Sequence, residues 1–185
     1  MRKISKDTII TMKDFVDEKH EILHQPIEDL RLPATEEDLA ELQAMLVYLR
    51  NSQDEKLAKK YKLRPGTGLS ANQIGIAKRM FAAKYEDEKG QSYEYQLINP
   101  KIISHSTNII CIPEGEGCLS VNREVFGQVP RYEKIKVRAY NEKGEEVTLS
   151  FKGFASILMQ HEIDHLNGIM FYDRIDKNQP IINKI

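Results

Sequence analysis

An α+β fold, with mixed or antiparallel β-sheets around a central buried helix, is what the sequence predicts, on three observations. An amphipathic helical stretch comes first, a middle region of short β-rich runs follows it, and a segment apolar on most of its helical surface comes after those. The 185 residues, 1–185, read as a single domain, long enough to bury a core without disulfides or metal.

In chain order, "TEEDLAELQAMLVYLR" places Leu39, Leu42, Leu46 and Leu49 at helical spacing behind an acidic first turn, with Thr35 as N-cap. Between Met80 and Phe151 the runs "MFAAKY", "YEYQLI", "KIKVRAY" and "EVTLSF" read as strands, with "YEDEKGQS" and "NEKG" as solvated turns. "FASILMQHEIDHLNG" returns to helix and stops at Asn167 and Gly168.

Composition narrows the function. With 27 basic and 28 acidic residues the formal net charge is −1, too small a field to gather nucleic acid or anionic membrane, so neither partner is expected and binding belongs to a local site. Apolar runs are only a few residues long, which predicts neither a membrane span nor a secretory leader and points to the cytoplasm. The two cysteines make no disulfide framework there. Cys111, within "IICIP", reads as a buried small hydrophobe, and His105 as a strand end without a role.

The pattern His-Glu-x-x-His, able to present two imidazoles to one ion with a carboxylate beside them, occurs twice: "HEILH" at 20–24 and "HEIDH" at 161–165. Turning each segment as a helix by about 100° per residue separates them. In the first, Phe15, Val16, Ile22 and Leu23 form the apolar stripe, His20 and His24 fall on the polar side, and Pro26 ends the helix. In the second, Phe154, Ile157 and Leu158 share a side with His161 and His165, while Met159, Ile163 and Leu166 make the other side apolar. Such a helix is buried, and two buried imidazoles need partners that a metal supplies.

For the third ligand, the histidine six residues after the second one that some zinc peptidases carry is here Phe171. Asp173 and Asp176 remain as carboxylates, but "YDRIDKNQ" reads as surface. Cys118 in "EGEGCLS" is the better candidate, because glycines such as Gly117 let backbone approach an ion and its ligand closely. Two imidazoles and a thiolate suit Fe²⁺, Zn²⁺, Co²⁺ or Ni²⁺.

"GTGLSANQ" at 66–73, "EGCLS" at 116–120 and "QHEIDH" at 160–165 together resemble, in order and spacing, the three motifs of the peptide deformylases, in particular the longer bacterial subclass with an insertion near 84–95. The resemblance implies a deformylase-like fold and removal of the formyl group from the N-terminal methionine of new polypeptides. It implies Cys118, His161 and His165 as ligands of one divalent metal, Fe²⁺ in the cell, with Zn²⁺ or Ni²⁺ common after purification. Glu162 would be the general acid and base, and Gln73 with the Leu119 amide the oxyanion donors. A peptide would lie extended beside Thr67 and Gly68 near Gly117, its methionine against Ile157 and Leu158, which serve equally well as plain core. Formyl-methionyl nascent chains are the implied partners, with a transient ribosome contact. The family usually carries alanine and proline where this chain has Ser70 and Asn72, so the loop before Gln73 loses a conformationally fixed residue.

Two other readings are a metallopeptidase cutting internal peptide bonds, separable by comparing formyl with acetyl substrates, and a structural metal module, in which Glu162 would be dispensable.

Overall fold

Alternating and continuous apolar runs in the middle of the chain build one antiparallel sheet. A computed structural model describes residues 3–175. Its strands are β1 (Gly68–Ser70), β2 (Met80–Glu86), β3 (Ser92–His105), β4 (Ile109–Ile110), β5 (Arg131–Tyr132), β6 (Lys134–Tyr140) and β7 (Glu146–Lys152). Five of them pair in the order β1-β2-β3-β6-β7, each pair antiparallel, while β4 and β5 form a separate ribbon.

Helix α1 (Glu36–Gln53) and helix α3 (Phe154–Leu166) cover opposite faces of this sheet, and the short α2 (Glu55–Tyr61) follows α1. Strand alternation sorts the side chains between them. Met80, Ala82 and Ile98 join Leu42, Met45 and Leu49 of α1 in one core cluster. Phe81, Ala83 and Leu97 join Leu158, Met159 and Ile163 of α3 in another. Hence β2 is apolar at successive positions, being covered on both sides. In β6 only Ile135, Val137 and Ala139 face inward.

α1 begins where its cap predicts: Thr35 Oγ1 accepts from the Asp38 N–H at 3.2 Å and Asp38 Oδ2 accepts from the Thr35 N–H at 2.7 Å. β3 runs past the apolar stretch "YEYQLI" through Pro100 to His105. Proline is tolerated because the register shifts between Ile98 and Lys101, where Asn99 takes φ +51 and its side chain bonds the Leu30 N–H and carbonyl.

The first His-Glu-x-x-His segment departs from the expected helix. It forms only a 3₁₀ turn, Glu21–Leu23, with His20 as its N-cap. Ile22 and Leu23 are buried and both histidines are exposed, as the stripe predicts. No helix among the described residues is long and apolar enough to cross a membrane.

Candidate metal centre

α3 starts just after β7 at Gly153, whose φ of +59 is open to glycine. The helix is buried along nearly its whole length, and residues four apart put His161 and His165 one above the other. Their Nε2 atoms are 3.2 Å apart, and Cys118 Sγ lies 3.3 Å from His165 Nε2. The ligand atoms of Cys118, His161 and His165 all lie within 4.8 Å of one another. Metal bonds of about 2.0–2.3 Å give tetrahedral edges of roughly 3.3–3.7 Å, so the three residues fit one ion. Asp173 is exposed and accepts the Met170 N–H instead, and Asp176 lies outside the described residues.

Each candidate ligand is held by a different device. Cys118 Sγ accepts from the Ser120 N–H and from Gln73 Nε2, both at 3.4 Å. His161 Nδ1 lies 2.8 Å from Glu116 Oε2, which assigns the proton to Nδ1 and leaves Nε2 for the metal. Burial carries the His165 pKa well below the usual imidazole range, and neighbouring His161 adds to the effect, which is the direction a metal-ligating imidazole needs.

Glu116 belongs to a buried chain of charges on which the sequence reading placed no role. Arg131 donates to both its oxygens at 2.8 Å and also to Asp164, which in turn accepts from Arg174. Burial raises the Glu116 pKa, but the bonds from Arg131 and His161 outweigh it and hold the carboxyl at about 2. The signal was present in Asp164: a carboxylate on a helix buried all round must be paired.

Glu162 sits beside the ligands without joining them. Its Oε2 accepts from Ser70 Oγ at 2.7 Å, and a Cβ added to Gly68 would stand 2.1 Å from its Oε1. Burial raises its pKa, against the pull of His161 and Ser70, which is the direction that suits a carboxylate exchanging protons near neutral pH.

Gln73 Oε1 is committed to the Ser70 N–H at 2.8 Å, which aims Nε2 at the site. Arg64 donates to the carbonyls of Cys118 and Leu119, each at 3.3 Å. In a trans peptide N–H and C=O are antiparallel, so the Leu119 N–H points away from Arg64. The loop before Gln73 is not loosened by Ser70 and Asn72. Both are fully buried, and Asn72 Nδ2 donates to the carbonyls of Ile22 at 3.2 Å and His165 at 2.6 Å.

The residues open onto a cleft of about 610 Å³ lined by Thr67, Gly68, Gly117, Ile157, Leu158 and Glu162. Leu158 also packs in the sheet core, whereas Ile157 lies outside the three core clusters. Phe154, expected in the dry stripe, is 39 % exposed and meets Tyr85 edge-on at the cleft. At Gly117 an added Cβ would meet nothing within 4 Å, so the free space belongs to the cleft. His20 and His24 are not in the ligand group; they bond the Ile22 N–H and the Glu18 carbonyl.

A candidate ligand triad, an adjoining buried carboxylate and a cleft walled by both polar and apolar side chains make the arrangement of a metal-dependent hydrolase. The sequence model of the polypeptide deformylase family matches residues 12–180, and the chain belongs to that family, which works with a divalent metal. It is 54 % identical over 172 residues to peptide deformylase 2 of Geobacillus stearothermophilus and 52 % to that of Bacillus cereus, in each case over 93 % of this chain and 94 % of the relative. Among solved structures, a class I type b peptide deformylase from Acinetobacter baumannii with Met-Ala-Ser bound has a TM-score of 0.71 at 28 % identity, over 91 % of this chain and all of that one.

Proposed function

We propose that this site hydrolyses the N-terminal formamide of formyl-methionyl polypeptides, with Cys118, His161 and His165 as metal ligands and Glu162 as acid and base. The carrying observation is Glu162 itself, a carboxylate 2 % exposed that lines the cleft next to the ligands yet is tied to Ser70 instead of the ion position.

Cys118, His161 and His165 would hold a divalent metal, and the chemistry it would supply when bound is Lewis acidity towards the formyl carbonyl and water. Glu162 takes the proton of the attacking water as the new C–O bond forms at the formyl carbon. Charge collects on the formyl oxygen, where Gln73 Nε2 and the Leu119 N–H donate; one such donor is worth about 10²- to 10³-fold in rate. Glu162 then gives its proton to the nitrogen as the C–N bond breaks, leaving formate and a methionine amine.

The peptide adds to the outer edge of β1, which pairs with no strand among the described residues, so Gly68 gives backbone hydrogen bonds and little sequence preference, while Thr67, whose carbonyl accepts the Lys84 N–H at 2.8 Å, flanks the peptide with its side chain. Gly117 leaves room on the opposing loop, and Ile157 and Leu158 receive the methionine side chain. The tripeptide bound to the Acinetobacter relative supports this class of ligand. Fe²⁺ is the proposed metal in the cell, with Zn²⁺, Ni²⁺ and Co²⁺ compatible with the same donors. The proposed substrate, a newly made polypeptide, supports a cytoplasmic location with a transient ribosome contact.

The test is formate release from formyl-methionyl against acetyl-methionyl peptides, with metal content measured on the parent and Glu162→Ala. The parent turns over the formyl peptide alone. The mutant keeps its metal and loses about 10²- to 10⁴-fold in kcat. Full metal with near-parental kcat in the mutant sinks the mechanism.

A further inference from the structure

β1 carries two residues of one face, Gly68 and Ser70, and both meet the same carboxylate. Gly68 contributes an absence: Glu162 Oε1 lies where a side chain would begin. Ser70 contributes a hydroxyl that is fully buried, 2.7 Å from Glu162 Oε2 and 3.0 Å from the Glu162 carbonyl. A serine hydroxyl has one proton, and the shorter contact leads to the acceptor that carries charge. The terminal torsion of a glutamate is otherwise broad, so this donor decides which oxygen points where.

We infer that Ser70 is a positioning residue for the reaction, its hydroxyl occupying Glu162 Oε2 so that Oε1, over cleft-lining Gly68, is the oxygen turned to the reacting atoms. Ser70 thereby orients two groups at once, because its main-chain N–H also holds Gln73 Oε1 at 2.8 Å and turns Gln73 Nε2 towards Cys118. Replacing the side chain touches only the first function, since alanine keeps the N–H. Alanine is the family's usual residue here, so the hydroxyl is this chain's own device for fixing the carboxylate; without it the buried Oε2 has no side-chain donor among the described residues, and the productive orientation is less populated.

The inference depends on Glu162 acting as proposed above, and a double-mutant cycle separates the two. Ser70→Ala in the parent is expected to lower kcat five- to twentyfold, with KM within twofold, metal content unchanged and the chain still folded at the assay temperature. The same substitution in Glu162→Ala is expected to change residual turnover by less than twofold, because Ser70 has no carboxylate left to orient. Ser70→Thr, which keeps the hydroxyl, recovers most of the rate. A Ser70→Ala enzyme within twofold of parental kcat overturns the inference, and so does an equal loss in both backgrounds. If the parent releases no formate, or Glu162→Ala turns over like the parent, the proposed function falls and the inference falls with it.

Discussion

Gly68→Ala puts the smallest side chain into the tightest contact of the site. A Cβ there would lie 2.1 Å from Glu162 Oε1 and 2.5 Å from its Cδ, whereas real Cβ atoms essentially never approach closer than 3.0 Å. Something moves by about 1 Å, and the glutamate side chain is the softer partner, since Gly68 is held in register with Ala83 on β2. A misplacement of about 1 Å in a catalytic group costs on the order of 10²-fold, so kcat should fall by about that factor. The backbone N–H and carbonyl of residue 68 survive, so KM for a formyl-peptide added along β1 should change little. Crowding of this kind costs roughly 1–3 kcal/mol of stability, which leaves the chain folded. Steady-state kinetics with metal analysis on the same sample decides. A Gly68→Ala enzyme with full metal and kcat within threefold of the parent would show that the carboxylate does not need the place it occupies. A KM effect alone would assign Gly68 to peptide binding.

Replacing His20 and His24 together by alanine should leave metal content and turnover near parental, because both rings are exposed and outside the ligand group; stoichiometric loss of metal would refute the choice between the motifs. Cys118→Ser should weaken metal retention in a chelator competition and remove most activity, while Cys111→Ser, fully buried beyond the ligand group, should cost stability alone. Equal metal affinity in Cys118→Ser would unseat the thiolate. Glu116→Gln removes the charge facing His161 Nδ1 and should weaken metal binding by about 10- to 100-fold. Since the folded pKa of Glu116 is depressed from 4.5 to about 2, the stability it contributes is complete above pH 4.5 and lost as pH falls through about 2. Urea midpoints of parent and Glu116→Gln should therefore differ at neutral pH and converge in acid; a gap independent of pH would contradict the assignment.

What the sequence discloses follows the range of the forces involved. The start of α1 is local, a cap and its carboxylate three residues on, and Thr35 with Asp38 forms it as read. The second His-Glu-x-x-His motif is local too, since one helix face aligns both rings. Glu116, Arg131, Asp164 and Arg174 are different: they come from a loop, a two-residue strand, the helix and the turn after it. Nothing in spacing ties them together, and only the demand that buried charge be paired hints at the network. The small ribbon of β4 and β5 escaped for a related reason, two residues being too few for a period.

Ser70 and Asn72 show how reading by resemblance misleads where chemistry is substituted for stiffness. Proline would fix one dihedral; Asn72 instead ties the loop to two other segments, the Ile22 carbonyl and the His165 carbonyl at the end of α3. The first His-Glu-x-x-His segment thereby acquires a role that its histidines do not have. Ile22 and Leu23 share a core cluster with Cys118, the Ile27 N–H donates to the Leu166 carbonyl at 2.8 Å, and Gly168 packs so closely on Gln25 that a Cβ would stand 2.6 Å from its backbone. In "HEILH" the polar residues face water and the apolar pair between them is buried; in "HEIDH" a helix buried all round carries the imidazoles inside. The same pattern braces the candidate metal site in one place and supplies two of its three proposed ligands in the other, and burial of the flanking residues is the physical difference between them.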